Sequence, residues 1–206
     1  MRNKTPAMPG TQPAALVLLA VILFSSAARA QTPPGVPVFK ITALQSKIKF
    51  HVDASVAIEG TFDKWDATLS FASPDVRTGV LDIEIQAASV DTGSGMKNGK
   101  LKGKDFFDVN QNPFITFKST KIEQTGPDTF TVDGDFTIRG VTKPESLTLT
   151  VTGKGTGSGT IAGTMAFDRK QYGMNSGIPF IKIANRVEVD VHLQGQRISG
   201  PPLALK

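Results

Sequence analysis

Residues 130–138 read FTVDGDFTI, and every second position in this stretch is apolar or glycine. The intervening positions carry threonine or aspartate, so the segment has one apolar and one polar face. Side chains alternate between the two faces of a β-strand, whereas a helix repeats every 3.6 residues. The stretch therefore predicts a strand that buries one face.

The same alternation recurs along most of the chain after Phe39. It is clear in residues 47–53, 56–62, 65–71, 81–86, 147–151, 161–167 and 187–194. Turn sequences separate several of these segments: SPD (73–75), TGP (125–127) and GKGTGSG (153–159). Strands with one apolar face favour antiparallel pairing, because parallel sheets are covered on both faces. The sequence therefore predicts a single all-β domain, either a sandwich or a closed barrel.

The segment DTGSGMKNGKLKGKDFFDV (91–109) interrupts this alternation. Met96, Leu101 and Phe107 have roughly helical spacing, so we expect a short helix or helical turn across one end of the sheet. Adjacent side chains diverge by about 100° on a helical turn rather than 180°. Phe106 and Phe107 can then both be buried beneath this covering segment. We expect one ring to pack as core and the other to face a ligand.

The first thirty residues have the features of a secretory signal peptide. Arg2 and Lys4 give a positive start, residues 14–24 are an unbroken apolar run, and ARA at 28–30 fits a small-x-small cleavage site. The apolar run is too short for a bilayer core, which takes about 20 residues. We expect residues 1–30 to be cleaved off after Ala30, leaving a periplasmic mature chain without a transmembrane segment.

Loss of this segment lowers the formal net charge. The full chain has 23 basic and 18 acidic residues, a net charge of +5, and three of the basic residues lie in the first thirty positions. The remaining charge of +2 includes no dense basic cluster, so nucleic acid is not an expected partner. Cysteine is absent, which excludes disulfides and a lipidated cysteine. His51 and His192 occupy polar positions of alternating segments, so no metal site is expected.

Four pieces of the chain form a recognisable series: ASVDTG (88–93), DFFDVNQNPFITFKST (105–120), GDFTIRGVTKPESLTLTV (134–151) and FDRKQYGM (167–174). In content and order they resemble the YceI-like family of exported bacterial proteins. The resemblance implies an eight-stranded, antiparallel, lipocalin-like barrel with a short helical cap segment. It also implies a long polyisoprenoid ligand, such as a polyprenyl phosphate or an isoprenoid quinone, inside the barrel. We accordingly divide the mature chain into a flexible Pro-rich leader (31–38), the barrel domain (39–195) and a C-terminal tail (196–206).

The chain departs from that family at three places, one of which is HVDASVAIEG (51–60), where the family's first strand often carries a histidine before a small loop with apolar residues. The segment before DFFDV commonly contains an Arg-Asp pair and then His-Leu, but here MKNGKLKGK (96–104) keeps only Leu101. Its two glycines predict a looser cap. Tyr172 stands where phenylalanine is usual.

The inward positions supply the candidate ligand-binding residues of an apolar cavity. They are Phe50, Phe71, Ile83, Phe106, Phe107, Phe117, Phe130, Phe136, Met165 and Phe167. Aromatic rings and a thioether adapt to a methyl-branched chain. The residues alone favour an ordinary filled core, whereas the family resemblance favours an open cavity.

Three basic residues are candidates for holding a head group: Arg139, Lys143 and Arg169. Cations near a barrel mouth can hold a phosphate through charge-assisted hydrogen bonds. Arg139 directly follows the strand that ends at Ile138, so a structural hydrogen bond that fixes the turn is an equal alternative for it.

These observations predict a lipid-binding protein for transport or storage, not an enzyme. No catalytic residues are recognisable, no cofactor is expected besides the bound isoprenoid lipid, and a homodimer is left open. Two alternatives remain. One is a structural or stress-related periplasmic module with a filled core. The other is an enzyme acting on small apolar substrates, which requires an acid or base inside the barrel.

Overall fold

The computed structural model describes residues 35–177 and 182–205. The predicted signal peptide and the first four residues of the predicted leader lie outside the described residues. The described chain contains ten strand segments and one α-helix. They are β1 (Val38–Val52), β2 (Ile58–Phe62), β3 (Trp65–Phe71), β4 (Gly79–Gln86), β5 (Val90–Asp91), α1 (Gly95–Lys102), β6 (Phe114–Gln124), β7 (Thr129–Ile138), β8 (Val141–Val151), β9 (Ser158–Asp168) and β10 (Arg186–Ser199).

The strand segments form a closed antiparallel barrel of eight strands, which confirms the predicted fold. β2 and β3 are two parts of one strand, because both pair with β1, at Lys49↔Thr61 and at Val38↔Ser70. β4 and β5 are likewise two parts of the next strand, separated by the 3-10 turn Ala87–Ser89. Successive strands then pair in chain order, and β10 closes the barrel on β1. This last pairing excludes the sandwich.

The connections between strands divide the barrel into two ends. The cap end is formed by residues 53–57, 92–113, 139–140, 169–177 and 182–185. The far end is formed by residues 72–78, 125–128 and 152–157, together with the C-terminal residues 200–205. β10 runs on to Ser199, so the first four residues of the predicted tail are strand.

The barrel interior is built from the alternation that the sequence displays. The inward positions of β7 are all buried, among them Gly134 in the middle of the strand. A Cβ at Gly134 would lie 2.6 Å from the Lys118 carbonyl oxygen and 2.7 Å from the ring of Phe117. Glycine at this position therefore lets β6 place a phenylalanine ring in the interior.

The predicted helix is present but shorter than the segment that interrupts the alternation. It begins after Ser94, whose Oγ accepts a hydrogen bond from the Lys97 amide, and Leu101 is its buried residue. Met96 is 87% exposed, so its predicted place on a buried stripe was wrong. Its position in the first turn of a solvent-facing helix explains the difference.

Candidate functional site

A cavity of about 70 Å³ lies inside the barrel at the cap end. We call it the cap cavity. Its walls come from the barrel strands, and its cover comes from residues 92–113, 169–177 and 182–185. Every lining residue in the part of the chain that the structure describes is apolar except Arg169. The lining residues are Ile48, Phe50, Val52, Ile58, Phe62, Ile85, Leu101, Phe106, Phe107, Ile115, Phe136, Ile138, Phe167, Arg169, Met174, Ile183, Val187 and Val189.

Phe106 and Phe107 lie in the turns that follow α1. The Phe106 amide donates to the Gly103 carbonyl (3.1 Å) and the Phe107 amide donates to the Leu101 carbonyl (2.9 Å). Both rings are buried, at 5% and 7% exposure, and both line the cap cavity. The Phe107 ring lies 5.9 Å from the ring of Phe62 across the barrel mouth. Both rings therefore lie on the inner surface of the cover and face the cap cavity.

Arg169 is the cation of the cap cavity, and it is only 6% exposed. Its Nε donates to the Ala184 carbonyl (2.9 Å), and its Nη1 donates to the carbonyls of Met174 and Ser176. Burial lowers the pKa of the guanidinium, and the neighbouring Asp168 carboxylate opposes that effect. These bonds hold residues 169–177 and 182–185 over the cavity around a buried positive charge.

Arg139 lies outside the cavity and connects the two covering segments. Its Nη1 donates to the Gly173 carbonyl (2.7 Å) and its Nη2 donates to the Lys104 carbonyl (3.0 Å). Its backbone has a positive φ of 53°, which places it in the tight turn after β7. The described contacts thus fit the structural alternative for this residue. Lys143 is half-buried on β8 and is not among the residues that line the cap cavity.

One pair at the cap end, the buried Tyr172 with the half-buried Glu145, was not predicted from the sequence. The Tyr172 hydroxyl donates to Glu145 Oε1 (2.8 Å), and its ring packs edge-on against Phe136 and Phe167. Burial, followed by the hydrogen bond to Glu145, raises the pKa of the phenol. The strand alternation gave a signal that could have found this pair, because Glu145 has the same inward parity as Leu147.

A second cavity, of about 170 Å³, lies at the far end. We call it the far cavity. Two of the candidate binding residues, Phe71 and Phe130, line it, together with Phe39 and Leu149. The C-terminal residues Pro202, Leu203 and Leu205 form part of its wall.

A packed layer separates the two cavities. Ile83, Phe117 and Met165, the other three apolar candidates, are buried and line neither cavity within the described chain. Val132 and Leu193 are fully buried and likewise line neither cavity. The ten apolar candidates thus divide among the cap cavity, the far cavity and this middle layer.

His51 lies on the outer face of β1. Its Nε2 is 3.0 Å from Asp53 Oδ1 and its Nδ1 is 3.2 Å from Glu59 Oε1. The hydrogen bond with Asp53 is the largest cause of a pKa raised above the ordinary value of 6.5. Among the described residues, no group of three or more His, Cys, Asp or Glu side chains is placed to hold a metal ion. Within the same residues, no helix has the length and apolar character to cross a membrane.

Comparison with known proteins gives one family match and several structural neighbours. The model of the YceI-like domain matches residues 39–195. Curated relatives include UPF0312 proteins of Pseudomonas savastanoi pv. phaseolicola, 38% identical over 48% of this chain and 51% of theirs, and of Yersinia pestis, 34% identical over 47% and 50%. The matched region therefore spans about half the length of these relatives.

Three solved structures share the fold. BcnA of Burkholderia cenocepacia superposes with a TM-score of 0.68 and 28% identity, over 75% of this chain and 99% of that one. A YCEI protein of Campylobacter jejuni gives 0.58 and 22%, over 69% and 86%. A domain of Saccharophagus degradans described as polyisoprenoid binding gives 0.63 and 17%, over 78% and 99%. The family match extends over most of the chain, so this protein belongs to the YceI-like family.

Proposed function

We propose that the protein is an exported lipid-binding protein that holds one long apolar chain, a polyisoprenoid, inside its barrel for transport or storage. The observation that carries this proposal is the cap cavity, whose lining is apolar except for one buried cation. The guanidinium of Arg169 is already bound to three backbone carbonyls, so the space beside it suits a hydrocarbon chain, whereas a polar ligand would be buried there without hydrogen-bond partners. The polyisoprenoid-binding description of the Saccharophagus degradans domain supports the ligand class.

The driving force for binding is the burial of apolar surface. Each buried CH₂ contributes about 0.8 kcal/mol, so one five-carbon isoprene unit contributes about 4 kcal/mol at full burial. A few units therefore give strong binding without any hydrogen bond to the chain. The aromatic walls at Phe50, Phe136 and Phe167 suit its methyl branches.

A long chain needs more room than the cap cavity provides, and the middle layer lies directly in its path. Met165 in that layer has three rotatable bonds and a polarizable thioether, so it can change rotamer at low cost. We assign to it the role of opening the layer so that the chain extends from the cap cavity into the middle of the barrel, short of the far cavity. If the layer stays closed, the alternative of a filled structural module gains support.

We place the head group at the cap end. Arg169 is the cation that lines the cap cavity, and the connections of this end carry eight basic and three acidic residues. The connections of the far end carry two of each. This difference favours an anionic head group, such as a phosphate, beneath or beside the cover.

The test is to identify what the protein carries and whether the cap cavity holds it. The full chain, including the predicted signal peptide (1–30), is expressed and the protein is purified. An organic extract of the purified protein is then analysed by mass spectrometry. Delipidated protein is then titrated with a polyprenyl phosphate. We expect an isoprenoid in the extract and saturable uptake of one chain for each protein molecule.

A pair of matched variants localises the ligand. Val189→Phe places a ring in the cap cavity, whereas Val80→Phe adds the same ring on the exposed outer surface. Only the first variant should lose polyprenyl uptake. An extract without any long apolar chain, together with no uptake by the delipidated protein, contradicts the proposal.

Export is the remaining part of this proposal, and it rests on the sequence of residues 1–30. Intact-mass measurement on protein from the periplasm should give a chain that begins at Gln31. A full-length species retained in the membrane contradicts export as a free protein.

A further inference from the structure

The far cavity is large enough to bind a small ligand independently of the cap cavity. Its volume is about 170 Å³, more than twice that of the cap cavity. An apolar cavity of about 150 Å³ engineered in another protein stays dry and takes up benzene. The rings of Phe71 and Phe130 and the side chain of Leu149 form an apolar wall of the far cavity, and the turn that contains Thr152, Lys154 and Ser158 forms a polar side that the engineered cavity lacks. A single aliphatic chain of about eight carbons is of suitable size.

The far cavity also has a cation in its wall. Arg197 on β10 lines it, and no described carboxylate lies within ion-pair distance of this guanidinium. The other cation of the wall, Lys154, is already paired with Asp128 at 2.6 Å. Among the described residues of the wall, Arg197 is therefore the cation left for a ligand with a negative charge at one end.

The same arginine fastens the C-terminal residues that cover this cavity. Its Nη1 donates to the carbonyl of Gly200 at 2.5 Å, at the point where residues 200–205 leave β10. Farther along, the Ala204 amide donates to the Pro74 carbonyl (2.8 Å). A carboxylate accepts a stronger hydrogen bond from a guanidinium than a neutral carbonyl does. A carboxylate can thus replace Gly200 as the partner of Arg197.

From these contacts we propose that the far cavity is a second binding site, for a medium-chain carboxylate. The apolar chain of the ligand lies among Phe71, Phe130 and Leu149, and its carboxylate binds Arg197 in place of the Gly200 carbonyl. Binding loosens residues 200–205, because they lose the contact that fastens them to β10. This site is independent of the polyisoprenoid in the cap cavity, and it is occupied whether or not that lipid is bound.

Calorimetric titration of the mature protein with octanoate and with octanol tests the proposal. The two probes have the same chain, and only octanoate has a charge for Arg197. Arg197→Gln should weaken octanoate binding about tenfold or more, as expected for the loss of a charge-assisted hydrogen bond, and should leave octanol binding unchanged. Arg77→Gln is the matched control, since Arg77 is a far-end arginine that does not line the cavity.

A second variant, Ile161→Phe, places a ring in the far cavity and should abolish binding of both probes. Amide resonances of Gly200 and Ala204 should shift on addition of octanoate, also in protein that is loaded with a polyprenyl phosphate. The proposal is overturned if wild-type protein binds no octanoate or if Arg77→Gln weakens octanoate as much as Arg197→Gln. Shifts confined to the cap end would also overturn it, because octanoate would then occupy the cap cavity.

Discussion

The two ends of the barrel enclose their cavities by different means. At the cap end, two segments from the middle of the chain cover the cavity, and Arg169 and Arg139 bind their backbone carbonyls. Asp105 adds to this network, because its carboxylate accepts from Lys100 and Ser176, and both bonds lower its pKa. At the far end, residues 200–205 cover a larger cavity through the bonds of Arg197 and Ala204.

The difference shows how one barrel can combine a fixed end and an adjustable end. A cover with many internal hydrogen bonds opens only when several of them break together, whereas a terminal segment with few bonds can detach by itself. The cap end is thus suited to long retention of a ligand, and the far end to exchange.

The largest effect is expected when the buried arginine of the cap end is removed. Arg169→Ala leaves the carbonyls of Met174, Ser176 and Ala184 without their donor, and should lower the free energy of unfolding by about 3–5 kcal/mol. Arg197→Ala is the matched change at the far end, where one side-chain hydrogen bond is lost, and should have a much smaller effect. Urea unfolding of both variants measures the difference. Equal losses would show that the two ends are held equally.

A smaller effect is expected for the two adjacent phenylalanines. Phe106→Ala and Phe107→Ala each remove a buried ring, but one side of each ring faces a cavity, so we expect a loss of about 2–4 kcal/mol. Both variants should retain a polyprenyl phosphate less well, since both rings line the cap cavity. Phe71→Ala is the matched control, because its ring lines the far cavity instead.

These variants are measured as delipidated protein for melting and as loaded protein for lipid retention. A division of roles between the two rings, as the sequence led us to expect, would appear as a loss of retention in one variant only. Loss of stability without any loss of retention in either would place the ligand elsewhere.

The alternating pattern of the strands predicted much of this architecture, because it depends on residues that are close together in the sequence. Alternation in β7 depends on nearest neighbours in sequence, so the barrel strands and their buried faces could be read directly. The position of Phe106 and Phe107 beneath a cover followed from the break in that alternation. Contacts between distant segments left no such pattern. The bond from Tyr172 to Glu145 joins residues 27 apart, and the carbonyls that bind Arg139 carry no side-chain signal at all.

The division of the interior into two cavities could not be predicted from the sequence either. Ile83 and Phe117 have the same inward parity as residues that line a cavity, yet they lie in the packed middle layer. Parity gives the face of a strand on which a residue lies. The height along the barrel at which space remains depends on the packing of all eight strands together.

A moderate effect, on stability alone, is expected for Arg139. Arg139→Ala removes the bonds to the carbonyls of Gly173 and Lys104, and should lower the free energy of unfolding by about 1–3 kcal/mol. Affinity for a polyprenyl phosphate should stay unchanged, because this side chain lies outside the cap cavity. Arg77→Ala, at an exposed ion pair of the far end, is the control and should change stability little. Weaker lipid binding by Arg139→Ala at unchanged stability would instead assign it to the head group.

The smallest effect is expected from His51, whose protonation makes the stability of the folded protein depend on pH. Its pKa is raised in the folded protein, chiefly by the hydrogen bond with Asp53, so the charged form is favoured by folding. The stabilisation is fully present below the unfolded pKa of about 6.5 and is lost as the pH rises through the higher folded pKa. The melting temperature of the wild type relative to His51→Gln should therefore decline between about pH 6 and pH 8. His192→Gln is the control, and an NMR titration of both imidazoles gives the folded pKa values directly. A difference between wild type and His51→Gln that grows as the pH rises would mean that neutral His51 is the stabilising form.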